Sequence, residues 1–390
     1  MKALVVAPQP FYSPRGTPLS VYHRTRVTAD LGIEVDFLTY GEGQDVDLPG
    51  VRIFRIPRIR FLEPIKVGPS AAKAVLDVLM VAWTVTLLIR NRYAFVHAHE
   101  EAVFWCTFLK PIFRFKLVYD MHSSLPQQLT NFSFTRSRLL IGTFECLELA
   151  ALRAADAVIT ISPALAEYAE AQLDEPDRHL LIENSLFDPV RVVRSDGASE
   201  KEVVVEPLAE GRPIVSYAGT FQSYQGIDLL LEAHRRVLDQ RPDAFLLLIG
   251  GSAVEVVEYQ AMADRLGIRE QCLFTGSLPQ SVTRELLESA SLVTSPRTRG
   301  TNTPLKIYEQ LSCGIPLVAT RVPAHTQVLD ESVCFFADPE PDSFARAVLE
   351  GLDDSARRSS VVSAARALYD RQYSPDSYRR KMRRLLELLA

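Results

Sequence analysis

Residues Ala290–Thr320 read ASLVTSPRTRGTNTPLKIYEQLSCGIPLVAT, and the stretch divides into a strand, a loop, a helix and a second strand. ASLVTS is an apolar run without alternation, the pattern of a strand buried on both faces. PLKIYEQLSC has helical spacing, with Pro304 in the first turn, where a missing N–H costs nothing, and Gly314 as the stop. PLVAT is the next buried strand. A strand that returns parallel to its predecessor through a helix makes a right-handed crossover, the unit from which doubly wound sheets are built.

The unit recurs outward from this stretch. VDFLTY, AFVHAH, KLVYD and AVITIS alternate with helical segments in the first half, and AFLLLIG and CLFTG do so in the second. KALVVA (Lys2–Ala7) and PIVSY (Pro213–Tyr217) open the halves alike, each a β-branched run before a Gly-containing turn and a helix. The expected fold class is α/β, with two doubly wound Rossmann-like domains facing a central cleft. The expected boundaries are 1–190 and 213–373, joined by a linker at 191–212 with Ser-Asp-Gly and Pro-Leu-Ala-Glu-Gly punctuation. A basic amphipathic helix at about 374–390 can pack back on the first domain, or turn its cations to solvent or a membrane.

Composition narrows the function classes. A chain of 390 residues, 47% of them hydrophobic, can bury two cores. A net charge of -5 without long basic tracts excludes nucleic acid as the main partner. Five scattered cysteines without CxxC spacing suggest neither a disulfide framework nor a zinc site, and suit a reducing cytoplasm. MKALVVAPQPF reads as a first strand rather than a signal peptide. The most apolar window, VLMVAWTVTLLI (Val78–Ile89), is 12 residues long and is expected to be a buried helix, because a membrane span needs about 20.

Loops after the strands are where open α/β sheets bind ligands. In SPRGTPLS, Arg15, Gly16 and Thr17 precede a helix expected to start near Pro18, so the loop reads either as an anion site at a helix N-terminus or as an ordinary turn with a surface arginine. His97 and His99 share one face of a strand and precede Glu100 and Glu101, but no third ligand stands at recognisable spacing, so no metal is expected. His122, two residues past Asp120, suits a contact with a substrate hydroxyl and equally a structural role. Gly219 and Gly226 in SYAGTFQSYQGID, and Gly250 and Gly251 in LLLIGGS, open loops without the G-x-G-x-x-G fingerprint, which disfavours NAD. In the opening stretch Arg297, Arg299 and Lys306 surround Gly-Thr-Asn-Thr, and Lys306 and Glu309 share a helix face. Cations and helix-start amides suit phosphates, and a carboxylate suits vicinal hydroxyls; a solvated charged helix start is the bland alternative.

These pieces together, SPRGTPLS, DMHSS, ADAVITIS with IENSLFD, YAGTFQSYQGIDLLLEA and above all GTNTPLKIYEQLSCGIPLVAT, resemble retaining glycosyltransferases of family 4, which have the GT-B fold. The resemblance runs over essentially the whole chain. It implies a hexosyl-type transferase that moves a sugar from a nucleotide-diphosphate sugar, held by the second domain, to a hydroxyl of a glycan, glycolipid or lipid-linked acceptor held by the first, without metal or other cofactor. Glu309 matches the glutamate that holds the ribose, and Lys306 with the amides around Leu305, in the run Asn302, Thr303, Pro304, lies near the diphosphate. Gly16 and Thr17 match the first-loop donor contact, His122 the histidine at the transferred sugar, Gly250 and Gly251 the nucleotide loop, and Thr275 the surroundings of the base. Arg15, His99 and Glu100 fall on the acceptor side. The chain departs from the family at Thr301, where a first motif glutamate is usual, and at Thr220 and Gln225, after Gly219, where Arg and Lys are usual. Arg297, Arg299 and Lys306 are expected to supply the missing charge. A sugar-nucleotide epimerase of the same fold and a non-catalytic sugar-nucleotide-binding protein are the alternatives.

From Arg52 to Lys116 the chain carries 11 Lys/Arg against 4 Asp/Glu, interleaved with apolar side chains. Such a segment could sit on an anionic lipid surface, so a cytoplasmic protein touching the inner face of the cell membrane is expected, although core strands with ordinary solvated flanks explain much of the pattern too.

Overall fold

In the computed structural model the unbroken apolar runs become parallel strands covered on both faces. Residues 1–12, 16–63, 65, 70–124, 126, 138–184 and 211–390 are described. The chain divides into two units, Met1–Asp196 with Pro375–Ala390, and Gly197–Ser374. The expected linker lies outside the described residues up to residue 210.

The first unit runs β1 (Lys2–Ala7), α1 (Gly16–Asp30), β2 (Glu34–Thr39), β3 (Val51–Arg55), α2 (Ala71–Arg90), β4 (Phe95–His99), α3 (Ala102–Phe113), β5 (Lys116–Met121), α4 (Arg138–Ala154), β6 (Ala157–Thr160), α5 (Pro163–Glu170) and β7 (His179–Leu181). Its strands pair in parallel in the order β3-β2-β1-β4-β5-β6-β7. Leu4, Val6, Val96 and Leu117 point into a core shared with Leu76 and Met80 of α2 and Val103 of α3, while Ala3, Val5, Val35 and Val118 point into a second core against Val21 and Tyr22 of α1. Alternate residues thus feed opposite layers, as the pleat requires.

The second unit repeats the plan. It contains β8 (Ile214–Gly219), α6 (Ile227–Val237), β9 (Phe245–Gly250), α7 (Ala253–Arg265), β10 (Cys272–Gly276), α8 (Gln280–Glu288), β11 (Leu292–Ser295), α9 (Leu305–Ser312), β12 (Leu317–Thr320), α10 (Pro323–Thr326), β13 (Phe335–Ala337), α11 (Pro341–Asp353) and α12 (Ser355–Gln372). The parallel strand order is β10-β9-β8-β11-β12-β13. In each sheet the order reverses beside its first strand, between β1 and β4 and between β8 and β11. Loops leaving those strands diverge to opposite faces and open a crevice at the carboxyl ends.

The chain then returns to the first unit as α13 (Pro375–Leu388). Tyr378, Met382, Leu385 and Leu389 enter the core that holds Val5 and Val21, and Lys381 pairs with Glu183. Arg379, Arg380, Arg383 and Arg384 are exposed.

Two expectations need correction. The helix α1 begins at Gly16 rather than near Pro18. The apolar window is not a buried helix: it belongs to the 20-residue α2, whose residues Leu76, Met80, Leu87 and Leu88 pack inward while Val75, Val78 and Ile89 face out. An apolar sequence gives an inward face to the sheet whatever its outer face meets, and here the outer face is apolar as well. The helix is long and apolar enough to cross a membrane, yet its inner face is packed on the sheet.

Candidate functional site

Both switch points carry a cluster of charged side chains. In the first unit it is centred on Asp120, which stands on β5 in register with His99 on β4. Asp120 forms an ion pair with Arg24, which projects from the middle of α1, and both side chains are fully buried. Arg24 also donates to Tyr378 Oη of α13 at 3.0 Å and to the Ile182 carbonyl at 2.7 Å. His97 Nε2 lies 2.8 Å and His99 Nδ1 3.2 Å from Asp120 Oδ2, and His122 Nε2 lies 3.4 Å from Asp120 Oδ1 and 3.1 Å from His99 Nδ1. The rings of His97 and His99 stack at 4.6 Å.

Burial decides the charge states. It would raise the Asp120 carboxyl, but Arg24 and then the histidines outweigh it and hold the group well below the usual carboxylate range. Burial pushes His99 well below its ordinary value and His122 down to about 4, against the attraction of Asp120. Beside one carboxylate and one guanidinium, the imidazoles of His99 and His122 are therefore neutral. Its neighbour Glu100 has a left-handed φ of 49°, and burial with the nearby Glu101 pushes its carboxyl up to about 7.

Asp120 is the third ligand that spacing within β4 lacks: candidate ligand atoms of His97, His99 and Asp120 lie within 4.8 Å of one another. Sequence separation hid it, because β5 supplies it across the sheet. The donor set does not fit a cation, however. Both Asp120 oxygens already meet cationic or N–H partners, and a guanidinium on the same carboxylate repels a dication.

Among the other expected residues of this unit, Gly16 is exposed at the start of α1 and Thr17 is half-buried beside it. Arg15 lies outside the described residues.

The cluster of the second unit has cations with no paired carboxylate among the described residues. Lys306 Nζ sits 3.9 Å from the centroid of the Tyr217 ring, is buried, and has no hydrogen-bond partner among the described residues. Burial, and then the charge of Arg297, push it down to about 7. The Arg297 guanidinium lies 5.0 Å from the Tyr224 ring, and its Nε donates to the Arg299 carbonyl at 2.6 Å. The strand ends approach so closely that glycine is required: a Cβ on Gly250 would stand 1.9 Å from the Gly219 carbonyl oxygen, and one on Gly219 3.5 Å from Lys306 Nζ. Lys306 thus looks onto bare backbone at the end of β8. Gly251 lies beside the Phe221 ring on the same loop system.

The loop around the cations is tied down from β12 and α10. Thr320 Oγ1 donates to the Arg297 carbonyl, and Ser295 Oγ meets His325 Nε2 at 3.0 Å. Gln327 Nε2 donates to the Thr301 carbonyl at 2.5 Å and to Thr303 Oγ1 at 2.9 Å. Pro304 caps α9 with no side-chain hydrogen bond to the first turn, where Leu305 begins the helix. Asn302 is exposed, as are Thr301 and Thr220, whose carbonyl accepts from Tyr217 Oη at 2.7 Å. Gln225 leaves its buried Oε1 without a donor among the described residues. Thr275 Oγ1, at the end of β10, donates to the Gly276 carbonyl at 2.8 Å.

Three differences from the sequence reading stand out. Arg299 does not join the cluster: its side chain is exposed, and only its carbonyl reaches Arg297. Glu309 turns to Arg284 of α8, 3.7 Å away, and burial raises its carboxyl. Tyr217, Tyr224 and His325, unmarked in the sequence, hold the two cations and their loop. The aromatic residues in SYAGTFQSYQG next to the strand-end glycines are the signal that could have found the first two.

Comparison with known proteins follows the same division into halves. The Glycosyltransferase Family 4 model matches residues 14–185, and the Glycosyl transferases group 1 model matches residues 198–368. Each half of the chain thus matches the model of one glycosyltransferase domain. A GDP-mannose-dependent alpha-(1-6)-phosphatidylinositol monomannoside mannosyltransferase of Mycolicibacterium smegmatis is 30% identical over 189 residues, 46% of this chain and 48% of that protein. The chain matches less than half the length of such curated relatives. Among solved structures, sucrose-phosphate synthase of Thermosynechococcus elongatus superposes with a TM-score of 0.73 at 20% identity, covering 100% of this chain and 98% of that one. HepE of Anabaena in complex with UDP gives 0.72 at 16%, covering 99% and 100%. At these identities the likeness speaks for the fold, two parallel-sheet Rossmann-like domains as in GT-B glycosyltransferases, and the site belongs to this chain's own residues.

Proposed function

We propose that this chain transfers a hexosyl group from a nucleotide-diphosphate sugar to a hydroxyl of a glycan, glycolipid or lipid-linked acceptor, with retention at the anomeric carbon. The observation that carries the proposal is Lys306: a buried ammonium without a hydrogen-bond partner or counter-ion among the described residues, facing the glycine backbone of β8. Burying such a group costs free energy unless an anion joins it. A diphosphate supplies that anion. The names of the similar proteins support a nucleoside-diphosphate donor, with GDP-mannose in one and UDP in another, and the phosphatidylinositol monomannoside in the first name supports a lipid-linked acceptor.

In the proposed step the bond from the anomeric carbon to the diphosphate oxygen breaks while the acceptor oxygen bonds to the same face of the sugar. The acceptor proton passes to the departing diphosphate. Negative charge grows on the leaving group, and Lys306 and Arg297 are preorganised to meet it, with the first amides of α9 assisting. Glu309 is assigned to the ribose hydroxyls, Gly250, Gly251 and Thr275 to the nucleoside, Gly16 and Thr17 to the donor, and neutral His122 to a sugar hydroxyl. His99 and Glu100 are assigned to the acceptor side. No metal or other cofactor is needed.

Turnover of Lys306→Ala at saturating donor tests the proposal. A fall of about 10²- to 10³-fold is expected, the loss typical of one preorganised donor to a developing anion; an unchanged rate sinks it. A second reading, sugar-nucleotide binding without turnover, rests on Thr301, Thr220 and Gln225 standing where charged residues are usual. Donor binding with no product from any acceptor would favour it.

A further inference from the structure

Apart from Met1 at the start of the chain, the large apolar side chains that are exposed among the described residues of the first unit lie on and around α2 and α3. Phe61, Val75, Val78, Ile89, Phe108 and Ile112 are all more than half exposed. Val75, Val78 and Ile89 lie on one stripe of α2, and Val75 and Ile89 are about 21 Å apart along its axis at 1.5 Å per residue. Ala82 and Thr86 continue the stripe, and no charged residue stands between Asp77 and Arg90. Helix α3 packs alongside, with Trp105 Nε1 donating to Thr84 Oγ1 of α2 at 3.4 Å, and it presents Phe108 and Ile112. Ile59 and Leu62 pack against the core under α2, which puts Phe61 on the same side of the sheet.

Cations frame this surface. Arg60 precedes Phe61, Arg90 ends α2 and Arg92 follows it, and Arg114 and Lys116 follow the end of α3. All five are exposed, and none forms an ion pair within 4.0 Å among the described residues, although Arg60 helps to lower the Glu63 carboxyl. The strands β4 and β5 are neighbours, with Phe95 opposite Lys116, so the last four cations gather at one end of the apolar surface.

We infer that the outer face of α2 and α3 lies on an anionic lipid bilayer, with the apolar stripe at the level of the acyl boundary and the five cations among the headgroups. Charge decides against a second copy of the chain, because pairing this face with itself would bring unneutralised cations together. Packing of the inner face on the sheet decides against a crossing helix, since Leu76, Met80, Leu87 and Leu88 cannot leave the core without opening it. The inference is independent of the donor chemistry above.

Co-sedimentation of the full chain with vesicles of phosphatidylcholine, with and without phosphatidylglycerol, tests it, together with emission from Trp83 in a Trp105→Phe background. The expected result is binding to the anionic vesicles, weakened by salt, with a blue shift of Trp83. Val78→Glu with Ile89→Glu should weaken binding at least about tenfold and abolish the shift. Arg90→Glu with Arg92→Glu should weaken it by about fivefold or more per cation. Arg380→Glu with Arg383→Glu, on α13 across the sheet, should change it far less. Val78, Ile89, Arg90, Arg92, Arg380 and Arg383 are exposed, and an unchanged thermal melt shows that the variants, the Trp105→Phe background included, are folded. Failure of the wild-type chain to bind at low salt overturns the inference, as does wild-type binding by the α2 variants. A dimer that Val78→Glu with Ile89→Glu dissociates in sedimentation velocity also overturns it and makes the face an interface between copies.

Discussion

The two switch points use buried cations in opposite ways. Arg24 has its partners built in: Asp120, the Tyr378 hydroxyl and the Ile182 carbonyl accept from its guanidinium. Lys306 and Arg297 meet aromatic faces and backbone, with no carboxylate paired to them among the described residues. A cation with its counter-ion built in holds structure. One without a counter-ion carries a cost that a ligand can relieve. The contrast separates the residues that shape the fold from those that wait for substrate, and it can be broken by experiment.

The largest effect should come from Asp120→Asn. Removing one partner of a buried pair leaves Arg24 uncompensated, and a loss of about 3–5 kcal/mol in urea unfolding is expected. Lys306→Met should do the reverse: the unfolding midpoint holds or rises, because a lone buried ammonium disappears, while turnover falls about 10²-fold or more. If Lys306→Met destabilises as Asp120→Asn does, the contrast fails. Tyr378→Phe removes a hydrogen bond to a charged group and should cost about 1.5–3 kcal/mol, which thermal or urea melts can read.

A smaller effect lies in the pH dependence of donor affinity. With a pKa of about 7 in the free protein, Lys306 is charged below that pH and neutral above it. A diphosphate prefers the charged form, so affinity for a nucleotide sugar should fall as pH rises from about 7, by up to about tenfold per unit until the pKa of the bound state is passed. Of its neighbours, His325 is pushed down to about 4 by burial and stays neutral in this range, and Arg297 stays charged. Lys306→Arg should flatten the profile. The smallest effect is expected at Arg299→Ala, whose side chain is exposed: a loss within about threefold in kcat/KM, against at least about tenfold for Arg297→Ala. Equal losses would restore Arg299 to the cluster.

Much of the fold was legible because strands buried on both faces leave unbroken apolar runs such as AFLLLIG and AVITIS. Strands β3, β7 and β13 did not stand out. VRIFR interleaves charge with apolar residues at a sheet edge, and HLL and FFA are three residues long. Within the site, Lys306 and Gly219 were legible because loop, glycine and cation lie close to recognisable strand ends. Arg24 was not, since it sits mid-helix among other polar residues, and its partners Asp120 and Tyr378 are 96 and 354 positions away. The outward face of α2 was illegible for another reason: an apolar helix has the same sequence whether its outer side meets protein, water or lipid.

The most direct test of Lys306 as the ligand-seeking cation is calorimetry of a nucleotide sugar, UDP-glucose or GDP-mannose, against wild-type protein and Lys306→Met above pH 7. Repeating it in buffers of different ionisation heat counts the protons taken up. Binding with proton uptake in the wild type, and weak binding without uptake in the variant, is the predicted result. Equal affinity and equal proton uptake in both would contradict it.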